Sequence, residues 1–145
     1  MKAQGLILYR VASLAMATCF AAVGLAFFAA PEPVLEWFNR LSAPLGLPPA
    51  PVQAGSFFPV LALAYMYLVT LLAGLMFKRP GNPLFPILLA QGKFASSILS
   101  LVFFFGRAPY LICLANAVID GGIGALVLWL FFLQKRCAAS WPTYP

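Results

Sequence analysis

The chain has 145 residues, 63% of them hydrophobic and 8% charged, with a mean hydropathy of +0.97, whereas soluble domains carry about 25% charged residues; this is the composition of an integral membrane protein. Nine basic residues, three acidic ones and no histidine give a net charge of +6, and the lack of histidine removes the usual ligands of b-type haem and catalytic zinc and the base of His-activated nucleophiles. No cofactor is expected, and no nucleic-acid partner either, because the positive charge forms no basic run interleaved with aromatics.

The first apolar run long enough to cross a hydrocarbon core of about 30 Å covers residues 6–29. It is too long for the apolar region of a signal peptide, and Phe27 or Phe28 before the small residues Ala29 and Ala30, with Pro31 after them, spoils a cleavage site, so a retained helix is expected. Arg10 lies about one turn inside this span, where its stem reaches the headgroups, and Tyr9 beside it suits the interface. Ser13, Ala17 and Ala21 offer a seam of small residues for a neighbouring helix.

Residues 30–56 form a loop with six prolines between Pro31 and Pro51. Within it, Val34, Leu35, Phe38 and Leu41 recur at helical spacing, and Glu36 and Arg40 stand at i and i+4. A short helix on the membrane surface is predicted, with Trp37 at headgroup level.

The second span is predicted over residues 57–77, with Tyr67 and Thr70 sharing a face near its middle. "KRPGNP" from Lys78 to Pro83 breaks it from a third span over 84–105, and "GRAP" from Gly106 to Pro109 breaks the third from a fourth over 110–133. The last two therefore form a tight hairpin, and a tail over 134–145 is expected whose "AASWPTYP" end, Ala138 to Pro145, is mobile. Lys2, Arg10, Lys78, Arg79, Lys135 and Arg136 fall on one side of these spans, and only Arg40 and Arg107 on the other. The charge bias places both termini in the cytoplasm, as an even number of spans requires. The predicted fold is an all-α integral membrane protein, a four-transmembrane-helix bundle of one domain in the cell inner membrane. No internal repeat is visible.

Lys93 and Asp120 are the ionisable residues that no span end explains. At 1.5 Å per residue Lys93 lies about 15 Å along from Pro83, and Asp120 about 16 Å along from Pro109 in the antiparallel direction, so both reach one plane near the bilayer centre. A lone charge there costs about 2.5–3.5 kcal/mol on insertion scales, which makes mutual pairing the expected state. Ser96, Ser97 and Ser100 continue the Lys93 stripe; Cys113, Asn116 and Gly124 continue that of Asp120, with Ala117, Gly121 and Ala125 permitting close approach. Tyr67 and Thr70 are expected to reach the same plane.

Two interpretations of this polar plane stay open: a buried pair that fixes helix register, or a midplane site for a proton, ion or small ligand. A docking surface for a partner's charge is a third. Cys19, Cys113 and Cys137 have no C-x-x-C spacing and serve neither a redox pair nor a metal site; they are expected to act as small packing residues.

Arg10 and Gly24 in the first span, followed by the proline-marked loop and "LGLP" from Leu45 to Pro48, resemble the DoxX-like group of small four-span bacterial membrane proteins. The resemblance covers mainly the first 60 residues. The acidic residue often found early in the second span of that group has no counterpart among Leu63, Ala64 and Tyr65. The resemblance implies a compact bundle that assists a membrane redox or assembly process, and it transfers no catalytic residue. From the residues themselves three functions are expected in order: a non-enzymatic accessory or scaffold subunit that contacts other membrane subunits or itself, a small ion- or proton-coupled transporter or channel, and a lipid- or quinone-binding protein.

Overall fold

The structure is a computed structural model that describes residues 2–51 and 58–139, with side-chain surroundings for 4–51 and 60–136. Over these residues the chain is helical: α1 (Lys2–Ala29), α2 (Pro31–Ser42) followed by a 3₁₀ turn (Ala43–Leu45), α3 (Phe58–Lys78), α4 (Leu84–Gly106) and α5 (Leu111–Ala139). The expected start of the second span at Phe57 and the tail from Ser140 onward lie outside the described residues.

Four of the helices contain stretches long and apolar enough to cross a membrane: Gln4–Ala29, Val60–Lys78, Leu84–Gly106 and Leu111–Arg136. In hydrocarbon no water satisfies a free N–H or C=O, so the backbone closes its bonds within each helix. The breaks follow the breaker residues. Pro31 opens α2 at a first-turn position that needs no N–H, Leu84 N donates to Asn82 Oδ1 at 3.0 Å at the start of α4, and α4 ends at Gly106 just ahead of Pro109. The 3₁₀ turn after α2 closes on Gly46 at φ +65°, a left-handed conformation that glycine adopts without a Cβ penalty.

The last helix runs past the Leu133 boundary to Ala139, so the first residues of the expected tail are helical. Gln134, Lys135 and Arg136 are good helix formers, and no proline follows before Pro142.

The helices alternate in direction, which places Lys2 and Ala139 at one end of the bundle, the terminal end, and α2 at the other. They pack as two close pairs, α1 with α3 and α4 with α5, and each pair meets the other more sparingly. Glycine sets the closeness within each pair. A Cβ on Gly24 of α1 would lie 2.8 Å from Met66 Cβ of α3, and one on Gly124 of α5 would lie 3.0 Å from the Phe94 ring of α4.

Between the pairs, contact is concentrated toward the terminal end. The largest fully buried side chains are Tyr9 of α1, Val69 and Met76 of α3, Pro86 and Leu89 of α4 and Val127 of α5, with Ser13 and Ser42. No α4 residue beyond Lys93 is buried. Tyr9, expected at the interface, is 1% exposed and sits in this core with its hydroxyl unpartnered among the described residues; the inward face of α1 runs Tyr9, Ser13, Met16, Ala17, Phe20 and Gly24, and Tyr9 falls on it. Arg10, one position round the helix, is exposed as expected.

At the other end α2 rests against α1 and α5, and Trp37 is exposed on it. One side chain holds its return strand: Asn39 Nδ2 donates to Ala50 O at 2.9 Å, and Ala50 N donates to Asn39 Oδ1 at 2.7 Å. The α1/α5 seam is thus covered at this end, while among the described residues nothing covers the α3/α4 seam.

Candidate functional site

Lys93 and Asp120 meet as the depth arithmetic predicts. Lys93 Nζ donates to Asp120 Oδ1 at 2.8 Å, and the two side chains are 3% and 5% exposed. Removing two charges from water costs several kcal/mol per ion even after relaxation, which only close contact and further favourable neighbours recover. Here the neighbours are aromatic faces. The ammonium lies 4.7 Å from the centroid of Phe20 and 5.1 Å from that of Tyr65, and a desolvated cation over a ring gains about 2 kcal/mol. Phe20 comes from α1, Tyr65 from α3, Lys93 from α4 and Asp120 from α5, so all four spanning helices meet at one charge.

A second polar layer joins α4 to α5 on the α2 side of the pair. Ser97 Oγ donates to Ala117 O at 2.7 Å, and a Cβ on Gly121 would approach Ser97 Oγ to 3.0 Å. Asn116 Nδ2 donates to Ser100 Oγ at 2.8 Å and to Ser96 Oγ at 3.1 Å. Ser96, Ser97, Ser100 and Asn116 therefore join Lys93 and Asp120 in one strip. Of the expected small-residue run, Ala117 and Gly121 face α4, but Ala125 is exposed and Gly124 takes its place.

Tyr67 and Thr70 do not belong to this strip. Tyr67 is 69% exposed on the outside of α3, and Thr70 Oγ1 donates to Met66 O of its own helix at 2.7 Å. The tyrosine that reaches the site is Tyr65, whose hydroxyl donates to Gly92 O at 3.1 Å besides presenting its ring to Lys93. The α3 register is set by Met66 seated on Gly24 and by Val69, Ala73 and Met76 facing inward, which turns Tyr65 in and Tyr67 out. Phe20 was likewise missed. The signal was its place on the Ser13, Ala17, Gly24 face of α1, one turn beyond Ala17.

Where the two helix pairs part, a groove of about 600 Å³ opens along α4, lined by Tyr65, Gly92, Ser96, Leu99, Phe103 and Cys113 among others. Its walls are mainly apolar, and the Ser96, Ser100 and Asn116 strip edges it. Lys93 stays beneath Tyr65, out of the groove. Among the described residues no three His, Cys, Asp or Glu side chains come together in a way that would hold a metal ion. Comparison of the chain with protein-family models, with curated proteins and with solved structures gives no match.

Proposed function

We propose that this is a non-enzymatic multi-pass protein of the inner membrane, with both termini cytoplasmic, acting as an accessory or scaffold subunit of a membrane assembly. The observation that supports this reading is the closure around Lys93: a carboxylate from α5 and rings from α1 and α3 occupy the ammonium's surroundings. A charge engaged in this way fixes how four helices come together, a use for which buried ionic groups are best attested. The resemblance of the first 60 residues to DoxX-like proteins points the same way, toward assistance rather than catalysis. The test is extraction from native membranes in a mild detergent followed by mass determination. A discrete particle of fixed stoichiometry, larger than the bundle and its detergent, is expected; a solitary protein at native abundance contradicts the role.

A second reading is favoured by the groove: a lipophilic molecule enters from the bilayer between α3 and α4. Gently prepared protein would then retain a lipid or quinone that Leu99→Trp, placed in the groove wall, expels. Full retention by that variant rejects the reading. Ion coupling gains support only from reconstituted flux that Asp120→Asn abolishes while the bundle remains folded.

A further inference from the structure

The terminal end of the bundle gathers cations that no acidic side chain among the described residues pairs with. Lys78 and Arg79 stand at the close of α3, and Lys135 and Arg136 near the close of α5, all exposed. The acidic residues of the chain are Glu32, Glu36 and Asp120; the first two belong to α2 at the far end and the third is committed to Lys93.

A hydrogen bond ties the two basic segments to each other. Gln134 Nε2 donates to Pro80 O at 2.7 Å, across 54 positions of sequence. Pro80 directly follows Arg79, and Gln134 directly precedes Lys135. The α3–α4 connection is itself ordered: Arg79 N donates to Leu75 O at 2.8 Å, and Asn82 N donates to Arg79 O at 3.1 Å. Arg79 is thus held at both backbone groups, beside a turn tied to α5. Arg136 stands apart, about 200° round the helix from Gln134.

Depth selects the ligand. Lys78 closes α3, and Lys135 follows the apolar run of α5 that ends at Leu133, so the cluster lies where hydrocarbon gives way to headgroups. We propose that Lys78, Arg79 and Lys135, assembled by the Gln134–Pro80 bond, bind the headgroup phosphate of an anionic glycerophospholipid. Arg79 supplies a planar fork that matches phosphate oxygens, and the lysines add point charges. Basic residues at span ends attract anionic lipid diffusely wherever they occur; an assembled site differs in depending on geometry as well as charge.

That difference is the test. The purified full chain in mild detergent is offered phosphatidylglycerol and phosphatidylcholine, and bound lipid is counted by native mass spectrometry. Wild type is expected to retain phosphatidylglycerol in preference. Arg79→Gln and Lys135→Gln each reduce retention about five-fold, Gln134→Ala reduces it several-fold with no change in charge, and Arg136→Gln and Arg107→Gln have little effect. Equal losses from Arg79→Gln, Arg136→Gln and Arg107→Gln would leave only net charge and overturn the site. So would equal retention of the two lipids, or displacement by inorganic phosphate as effective as displacement by lipid, which would mark a soluble-anion site. Should Gln134→Ala loosen the bundle, the comparison of Arg79→Gln with Arg136→Gln decides alone.

Discussion

The two halves of this bundle are built from the same helices and solve different problems. Toward the terminal end, Tyr9, Val69, Met76, Leu89 and Val127 close the space between the helix pairs. Toward α2 the pairs part, and the α3/α4 seam becomes a groove edged by Ser96, Ser100 and Asn116. Lys93 and Asp120 mark the boundary. In lipid, apolar side chains gain nothing by leaving one apolar medium for another, so association depends on close packing and on polar bonds. The terminal half packs the pairs against each other, whereas the α2 half holds within each pair, by Gly24 against Met66 in one and by polar bonds in the other.

The largest effect is expected at the boundary. Lys93→Met or Asp120→Leu alone leaves one charge buried without its partner and destabilises by about 3–5 kcal/mol; the double variant recovers most of that loss. Unfolding in mild detergent over wild type, the single variants and the double variant measures it, and four equal stabilities would show that the pair does not hold the halves together.

Packing comes next. Leu89→Ala, at a side chain 0% exposed in the terminal half, is expected to cost about 2 kcal/mol, the low end of the range for a core cavity because lipid compensates part of the loss. Leu99→Ala, at 67% exposure on the groove wall, should change stability by less than about 0.5 kcal/mol. Equal costs would erase the distinction between the halves.

Gly24→Ala tests the pairing of α1 with α3. Its new methyl meets Met66 Cβ, an atom fixed to the backbone, and a loss of about 1–3 kcal/mol is expected. Unchanged thermal stability would mean that α1 and α3 are free to move apart. The smallest effect belongs to the polar strip: Ser97→Ala removes one bond to Ala117 O, and such interhelical bonds average about 0.6 kcal/mol in membranes. A larger loss in a denaturant titration would make the α2 half as rigid as the terminal half.

What the sequence disclosed follows the same division. Helix number, the α2 amphipathic stretch and the Lys93–Asp120 contact were legible because hydropathy, proline and a costly buried charge each leave a local mark. Serines at i+3, i+4 and i+7 from Lys93 gave the α4 face for the same reason. The α3 face was not legible. Its residues are apolar all round, and lipid is as acceptable to Leu68 or Leu71 as a neighbouring helix, so Tyr67 and Tyr65 had equal claims until the Gly24–Met66 contact fixed the register. Tyr9 illustrates the same limit: a tyrosine near a span end suits the headgroups, yet the face of α1 carries it into the core.

The connectivity of the charge cluster also orders events in time. Asp120 follows Lys93 by 27 positions, which at about 5–20 residues per second separates their emergence from the ribosome by about one to five seconds. Phe20 and Tyr65 have been synthesised by then. The aromatic faces that flank the ammonium in the finished bundle are therefore present in the chain before α4 is made, and the carboxylate is the last of the four groups to be synthesised.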